Sequence, residues 1–516
     1  MINLKDIQFF YTGTDEASGL KQINLHIKKG ETVLLCGESG CGKTTLTRLI
    51  NGLIPHYYEG TLTGEAMICG KSISDTPLYD LAKTVGSVFQ NPRSQFFNVD
   101  TTSELAFGCE NLGMNEEEVL NRIDRTAEAL SLNPLLGRSI FELSGGEKQK
   151  IACGSVGTLG PDIIVLDEPT SNLDILGIND LKNIISEWKT QGKTILIAEH
   201  RLYFMQGLAD RVLYMKNGEI CEEYTGAEFY EKPSYFFRER GLRISALAKL
   251  NKKRVCPVPE QKKLTVENLE FSYSKAEKLI DIPQVELPEA GIIAIIGHNG
   301  AGKTTFVRSL CGLLKKDKSI LKYNESALKA RKRLDSCYMV MQDVNHQLFT
   351  ESVLDEVLLS MKKEDWESAE KILDSLELLA FKDHHPMALS GGQKQRVAVA
   401  QALASGRDII VFDEPTSGLD LRHMEKVAGC IRQLGQQGKT VFIVTHDPEL
   451  ILFCCTHILH IKKGRAEGSY LLNEAGKKRM MDFFVCAGSS FGIPYEREAF
   501  CDSRSKGYGK QCIQGM

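Results

Sequence analysis

Short apolar runs, each closed by glycine or by charged residues, set the rhythm of this chain. TVLLC (32–36) and GIIAII (291–296) are unbroken apolar stretches that fit strands buried on both faces of a parallel sheet. Each leads through a glycine-rich octapeptide into TLTRLI or TFVRSL, which fit the first turns of helices. IIVLDE and IIVFDE read as apolar strands that end on two carboxylates, TILIAEH and TVFIVTH as apolar strands that end near a histidine, and DRVLYMKNGEI as a further strand. The pattern predicts an α/β protein.

The pattern also occurs twice. GESGCGKT (Gly37 to Thr44) returns as GHNGAGKT (Gly297 to Thr304), LSGGEKQK (143–150) as LSGGQKQR (389–396), and IIVLDEPTSNLD (163–174) as IIVFDEPTSGLD (409–420). Lys43 and Lys303 are 260 residues apart, whereas from the LSGG serines to His200 and His446 the offset is 246, so order is kept while loops shorten. A long internal repeat of this kind predicts two homologous domains, at 1–223 and 263–476. Residues 224–262 read as a linker: they end in CPVPEQKK, and their basic stretch RERGLRISALAKLNKKR, with leucines at 242, 247 and 250, fits a solvated interdomain helix in part. The tail 477–516 shows no clear periodicity and carries no assigned role.

Composition narrows the classes. The 516 residues are 42% hydrophobic and 25% charged, which excludes collagenous and broadly disordered chains, and 63 basic against 67 acidic residues give no global drive toward nucleic acid. The longest apolar candidate, Leu450 to Ile461, is too short to span a bilayer and holds His457 and His460. The acidic start lacks the order of a signal peptide, and fifteen scattered cysteines without C-x-x-C fit reduced cytosolic thiols better than a disulfide frame or a zinc site.

The repeated motifs carry chemistry. In GxxxxGK[ST] the glycines let backbone N–H groups wrap a polyphosphate, the following helix adds positive potential, Lys43 or Lys303 reaches the β/γ oxygens, and Thr44 or Thr304 can ligate magnesium. The predicted cradles are Gly37, Glu38, Ser39, Gly40, Cys41, Gly42, Lys43, Thr44 and Thr45, and Gly297, His298, Asn299, Gly300, Ala301, Gly302, Lys303, Thr304 and Thr305. At the ends of the acidic strands, Asp167 and Asp413 can hold magnesium, while Glu168 and Glu414 can polarise an attacking water. LSGG offers a serine hydroxyl, glycine N–H groups and a helix dipole to an anion.

Together these motifs resemble the ATP-binding cassette family over both halves. The resemblance implies two P-loop ATPase domains, each with a RecA-like core, an antiparallel β subdomain and a helical subdomain. It further implies that Tyr11 and Tyr273 stack on adenine, that Gln90 and Gln342 are Q-loop glutamines contacting magnesium, and that His200 and His446 hold the γ-phosphate. In the family two cassettes face head to tail, so Ser390 and Gly392 would complete the first site and Ser144 and Gly146 the second. ATP and Mg2+ are the implied cofactors, and both sites are expected to hydrolyse. Glu147 departs from the family's LSGGQ.

NPRSQFF and DVNHQLF each place a second glutamine, Gln95 or Gln347, five residues beyond the first. With NGLIPHYYEGTLTGE, ELAFGCENLGM and AEHR, this is similar to the fused ATPases of energy-coupling factor importers, which take up vitamins or transition metals. That resemblance implies a transmembrane scaffold and a substrate-binding membrane subunit as partners, a place on the cytoplasmic face of the membrane, and no nucleic acid. Asp-Val-Asn stands where that family often has Asp-Pro. The rival readings are a soluble tandem-cassette translation factor acting on the ribosome and the fused ATPase of a sugar or peptide importer. DNA-repair cassettes fit worse, since only 54 and 48 residues separate each Q-loop glutamine from its LSGG serine.

Overall fold

The computed structural model describes residues 1–13, 19–171, 173–247, 262–272, 278–315 and 317–486. Among these, each half holds one four-stranded antiparallel sheet and one six-stranded sheet. In the first half the larger sheet runs in the order Glu219–Thr225, Arg211–Lys216, Thr32–Gly37, Thr194–Ala198, Ile163–Asp167, Val85–Val88, parallel except at its Glu219–Thr225 edge. The second half repeats this with Arg465–Leu471, His457–Lys462, Ile292–Ile296, Thr440–Val444, Ile409–Asp413 and Cys337–Val340. The apolar runs are buried along their full length, as parallel strands covered on both faces must be.

Strand order brings the motifs together. Leu35 and Asp167 both pair with Ala198 from opposite sides, so the glycine loop after Gly37, the acid pair at Asp167 and Glu168, and His200 all emerge from the carboxyl ends of three adjacent strands. Open α/β sheets bind ligands at that edge. A helical layer, Thr101–Asn111, Glu116–Ala129 and Gly145–Leu159, stands beside the first sheet, with Val353–Ser360, Trp366–Ser375 and Gly391–Ala404 as its counterpart in the second half.

Among its described residues, the predicted linker is not a solvated helix. The strand Glu219–Thr225 enters it, and the helices Gly226–Glu231 and Ser234–Glu239 bury Phe229, Phe236 and Phe237 in an apolar core that continues into the second half. Gly241, at φ 64, ends the second helix; residues 242–246 run on without helical structure, and Leu242, Arg243 and Leu247 are buried. Residues 248–261 lie outside the described residues. The predicted tail likewise begins inside a helix, Glu474–Cys486, with Met480 and Phe484 buried.

These two helical segments are counterparts in the repeat, since they follow the equivalent strands Glu219–Thr225 and Arg465–Leu471. Each follows the last strand of its half and touches the second residue of its glycine loop. Gly241 lies so close to Glu38 that a Cβ would meet Oε1 at 2.4 Å, and Phe483 sits 5.1 Å from His298 between ring centroids. Among the described residues no helix is long and apolar enough to cross a membrane.

Candidate ATP sites between the two halves

Each glycine loop is held by its own lysine. Lys43 Nζ donates to the carbonyls of Gly37 (2.9 Å) and Glu38 (3.0 Å), and Lys303 Nζ to those of Gly297 (2.8 Å) and His298 (3.0 Å). Gly37 and Gly297 admit no side chain, because a Cβ would stand 2.3 Å from the Met215 carbonyl oxygen or 2.1 Å from that of Ile461. Gly40 and Gly300 instead face open space at φ 80 and 76. The helices Lys43–Ile50 and Lys303–Leu310 begin on Gly42 and Gly302 with no side-chain cap, which leaves their first N–H groups for an anion.

The oxygen donors suit magnesium. Thr44 Oγ1 donates to Asp167 Oδ1 at 3.2 Å and Thr304 Oγ1 to Asp413 Oδ2 at 3.1 Å. Among the described residues no group of three His, Cys, Asp or Glu side chains could hold a metal ion. A hydroxyl and a carboxylate per site therefore fit an ion that keeps phosphate and water ligands, which is the habit of magnesium rather than zinc. Burial raises both aspartates, Asp167 to about 6 with Glu168 beside it as a second cause.

Glu168 and Glu414 sit at φ 44 and 55, a strained conformation for a non-glycine residue, and each donates its N–H to the strand next door, Glu168 to Ala198 O and Glu414 to Val444 O. Glu168 Oε2 accepts from Gln90 Nε2 at 2.6 Å, and Oε1 stands 3.2 Å from His200 Nε2. Burial works to raise Glu168, but His200 and Lys43 outweigh it and hold the carboxyl below its ordinary range. Glu414 is more isolated. His446 Nε2 lies 3.7 Å away, Glu414 Oε1 and His446 Nδ1 are buried without a hydrogen-bond partner, and burial raises the carboxyl to about 7 despite Arg201. Burial, reinforced by the loop lysines, lowers both histidines and keeps them neutral at physiological pH. Orphaned polar atoms facing a glycine cradle fit a polar group such as a terminal phosphate and its attacking water.

The halves meet head to tail through the loops that follow the acid pairs. Asp420 Oδ2 accepts from Ser39 N at 2.7 Å, and Asp174 Oδ2 from Asn299 N at 2.8 Å, so each glycine loop is pinned by the opposite half. The cavity at the second loop is lined by Lys303, Thr304, Thr305, Gln342, Asp413, Glu414 and His446 together with Ser171 and Leu173 of the first half. Ser144 and Gly146 do not line it. Ser144 accepts from the Glu147 N–H while Glu147 accepts from the Ser144 N–H, and Ser390 makes the same reciprocal cap with Gln393. Glu147 thus replaces the family's glutamine without loss of the cap. Gly392 packs on Leu419 of its own half, so a Cβ there would stand 3.2 Å from that side chain. Tyr11 donates to Thr45 Oγ1 at 3.3 Å and stands edge-on to Phe9 and Tyr58 beside the first loop, whereas Tyr273 lies outside the described residues.

Sequence reasoning missed the cross-contacts of Asp174 and Asp420, although the motif itself pointed at them. It also missed a buried polar cluster beside the first site. Arg201 NH1 donates to the carbonyls of Thr170 (3.3 Å) and Leu173 (3.1 Å), and Glu199 accepts from the Thr170 hydroxyl and from His200 N. Burial pushes Glu199 from 4.5 to about 8, with Glu168 as the second cause. A folded-state value above the unfolded one means stability that is complete below about pH 4.5 and drains away as pH rises toward 8. Glu199→Gln, which mimics the protonated form, is therefore expected to gain on the parent by up to roughly 3 kcal/mol between pH 5.5 and 8. Melting curves at the two pH values check this, and a gap that does not widen would contradict it.

The ABC transporter family model matches residues 20–171 and 281–417, which is more than half of the chain, and the chain belongs to that family. It is 46% identical over 471 residues to a protein of Treponema denticola named as an ABC transporter ATP-binding protein, covering 90% of this chain and 96% of the relative. A Methanosarcina acetivorans protein with the same name is 33% identical over 90% of this chain and 84% of its own. Among solved structures, the fold is like that of an archaeal ribosome recycling factor in complex with the stalk protein aP1 (TM-score 0.60, 22% identity, 90% of each chain). It is also like that of RNase-L Inhibitor (TM-score 0.61, 21% identity, 94% and 93%). At those identities the likeness is one of fold. The protein is a tandem-cassette ATPase, two nucleotide-binding domains in one chain that bind ATP with magnesium and hydrolyse it.

Proposed function

We propose that this ATPase drives an energy-coupling factor type importer, taking up a vitamin or a transition metal ion through a transmembrane scaffold and a substrate-binding membrane subunit. One observation carries the reading. Seven residues beyond Gln90 and Gln342, Phe97 and Phe349 are 75% and 74% exposed, at equivalent places on the two halves. Their loops are held from beneath. The fully buried Glu104 accepts the N–H groups of Phe97 and Asn98, and Glu356 those of Phe349 and Thr350. Gln95 and Gln347 accept the N–H groups of Phe89 and Met341, one residue before each Q-loop glutamine. A buried carboxylate braced to hold an aromatic in water fits a surface made for an apolar partner. Two such surfaces fit the paired helices of a membrane scaffold.

In this reading the loop N–H groups and Lys43 or Lys303 hold the β/γ oxygens, and Thr44, Gln90 and Asp167, or Thr304, Gln342 and Asp413, would hold magnesium. Bound magnesium would neutralise charge on the phosphates. Glu168 and Glu414 polarise the water, the neutral His200 and His446 donate to the γ-phosphate, and the opposite LSGG closes over the nucleotide. ATP binding thereby becomes closure of the two halves, and hydrolysis releases it.

The tagged chain, purified from its own cells after detergent extraction, is expected to bring integral membrane proteins with it and to stay in the supernatant when ribosomes are pelleted. Stable association with ribosomes and none with membrane proteins would overturn the importer in favour of a translation factor.

A further inference from the structure

Arg243 of the connector is 3% exposed and reaches across into the second half. Its NH1 donates to Asp447 Oδ2 at 2.8 Å and lies 3.7 Å from Glu449 Oε2, while the neighbouring Ile244 N–H donates to Glu449 Oε1. Asp447 directly follows His446. The same Oδ2 also accepts from the Thr416 hydroxyl at 3.0 Å. Thr416 opens the loop that crosses to the first site: Ser417 Oγ donates to Ser171 O, Asp420 accepts from Ser39 N, and Gly418 sits so near that a Cβ would stand 3.2 Å from Gln90 Nε2 and 3.4 Å from Glu168 Oε2.

The other half secures its loop differently. Arg201, the counterpart of Asp447 in the repeat, holds the Thr170 and Leu173 carbonyls itself. One half thus carries its own cation, and the other carries a carboxylate whose cation comes from the connector. We infer that Arg243 is a positioning residue for the first ATP site, acting through Asp447 and Thr416 to set the loop Thr416–Asp420 against Gln90 and Glu168. The inference rests on Glu168 and Glu414 being the bases of the two sites. Without Arg243, the buried Asp447 and Glu449 would lose the cation in direct contact with them and keep only Arg201 nearby, not bonded to either, and the anchor of Thr416 would have to rearrange. The loop crossing to the second site has no such dependence, because Arg201 holds the Thr170 and Leu173 carbonyls, and the backbone after His446 is held separately by Asp447 Oδ1, which accepts from the Glu449 and Leu450 N–H groups.

The test isolates each site with a base variant, Glu414→Gln leaving the first and Glu168→Gln the second, and follows single-turnover ATP hydrolysis so that slow backgrounds stay readable. Adding Arg243→Met is expected to lower the rate about tenfold on Glu414→Gln and to leave it within about twofold on Glu168→Gln, with the ATP concentration at half-maximal rate unchanged in both. Thr416→Val, which spares the Arg243–Asp447 pair, is expected to show the same selectivity and decides the matter if Arg243→Met does not fold. Equal losses in the two backgrounds, or none in either, would overturn the inference. If the base variants alone leave turnover intact, it is the assignment of the bases that fails, and this shows before Arg243 is touched.

Discussion

Glu168→Gln and Glu414→Gln each lower steady-state ATP turnover by roughly 10²-fold or more, because an uncleaved ATP at the altered site keeps the halves closed and stalls the intact site after one turnover, while ATP affinity stays within about threefold. Glutamine keeps the length and planar head of glutamate, so the unusual backbone at φ 44 or 55 and the pairing to Ala198 O or Val444 O survive. What is lost is the oxygen that can take a proton from water. At Glu168 the ionised carboxylate is already in place between Gln90 and His200, which both favour its charge. At Glu414 the nearest ring nitrogen is 3.7 Å away and burial opposes ionisation, so more of the site's organisation must come with the nucleotide. Both halves keep every catalytic position, and each change is therefore expected to be felt. Phosphate release by the purified chain measures it, with equilibrium nucleotide binding as the control. Full activity after either change would contradict the proposal that both sites hydrolyse ATP.

Phe97→Ser together with Phe349→Ser is expected to abolish capture of the membrane partner while ATP turnover of the isolated chain stays within about twofold. Aromatic anchors at an interface contribute about 2 kcal/mol or more each, so losing two weakens binding by up to about 10³-fold if the effects add. Neither ring supports the fold to that degree, since both are about three-quarters exposed and their loops are fastened by Glu104 and Glu356 through backbone N–H groups that serine retains. Co-purification from detergent-solubilised membranes reads the loss. Undiminished capture would show that the partner grips another surface.

The sites were legible in the sequence where chemistry needs adjacent residues. A loop that wraps phosphate must be a contiguous run, so Gly37 to Thr44 and Gly297 to Thr304 declare themselves, and an apolar strand that stops at two acids shows where Glu168 and Glu414 stand. What stayed hidden was built from distant partners. Arg243 and Asp447 are 204 residues apart, and no local pattern marks a lone arginine as half of a buried pair. Glu104 and Glu356 read as ordinary helix acids until the fold places them under the exposed phenylalanines. The basic stretch around Arg243 reads as a solvated helix because its leucine spacing allows one, but Gly241 at φ 64 stops the preceding helix and Leu242 and Leu247 turn inward. The second domain of the repeat does not help here, since its equivalent segment, the helix Glu474–Cys486, has a different sequence.

Because the connector is both the last layer of the first half and the strap to the second, the partners of each site are delivered at a fixed, high effective concentration. Dilution cannot separate them, and mispairing of two like halves is disfavoured. A free-standing cassette that pairs with its own twin must carry the same residue on both sides, so an Arg201 opposite an Asp447 could not arise there. Covalent fusion removes that symmetry requirement and leaves the two sites free to specialise.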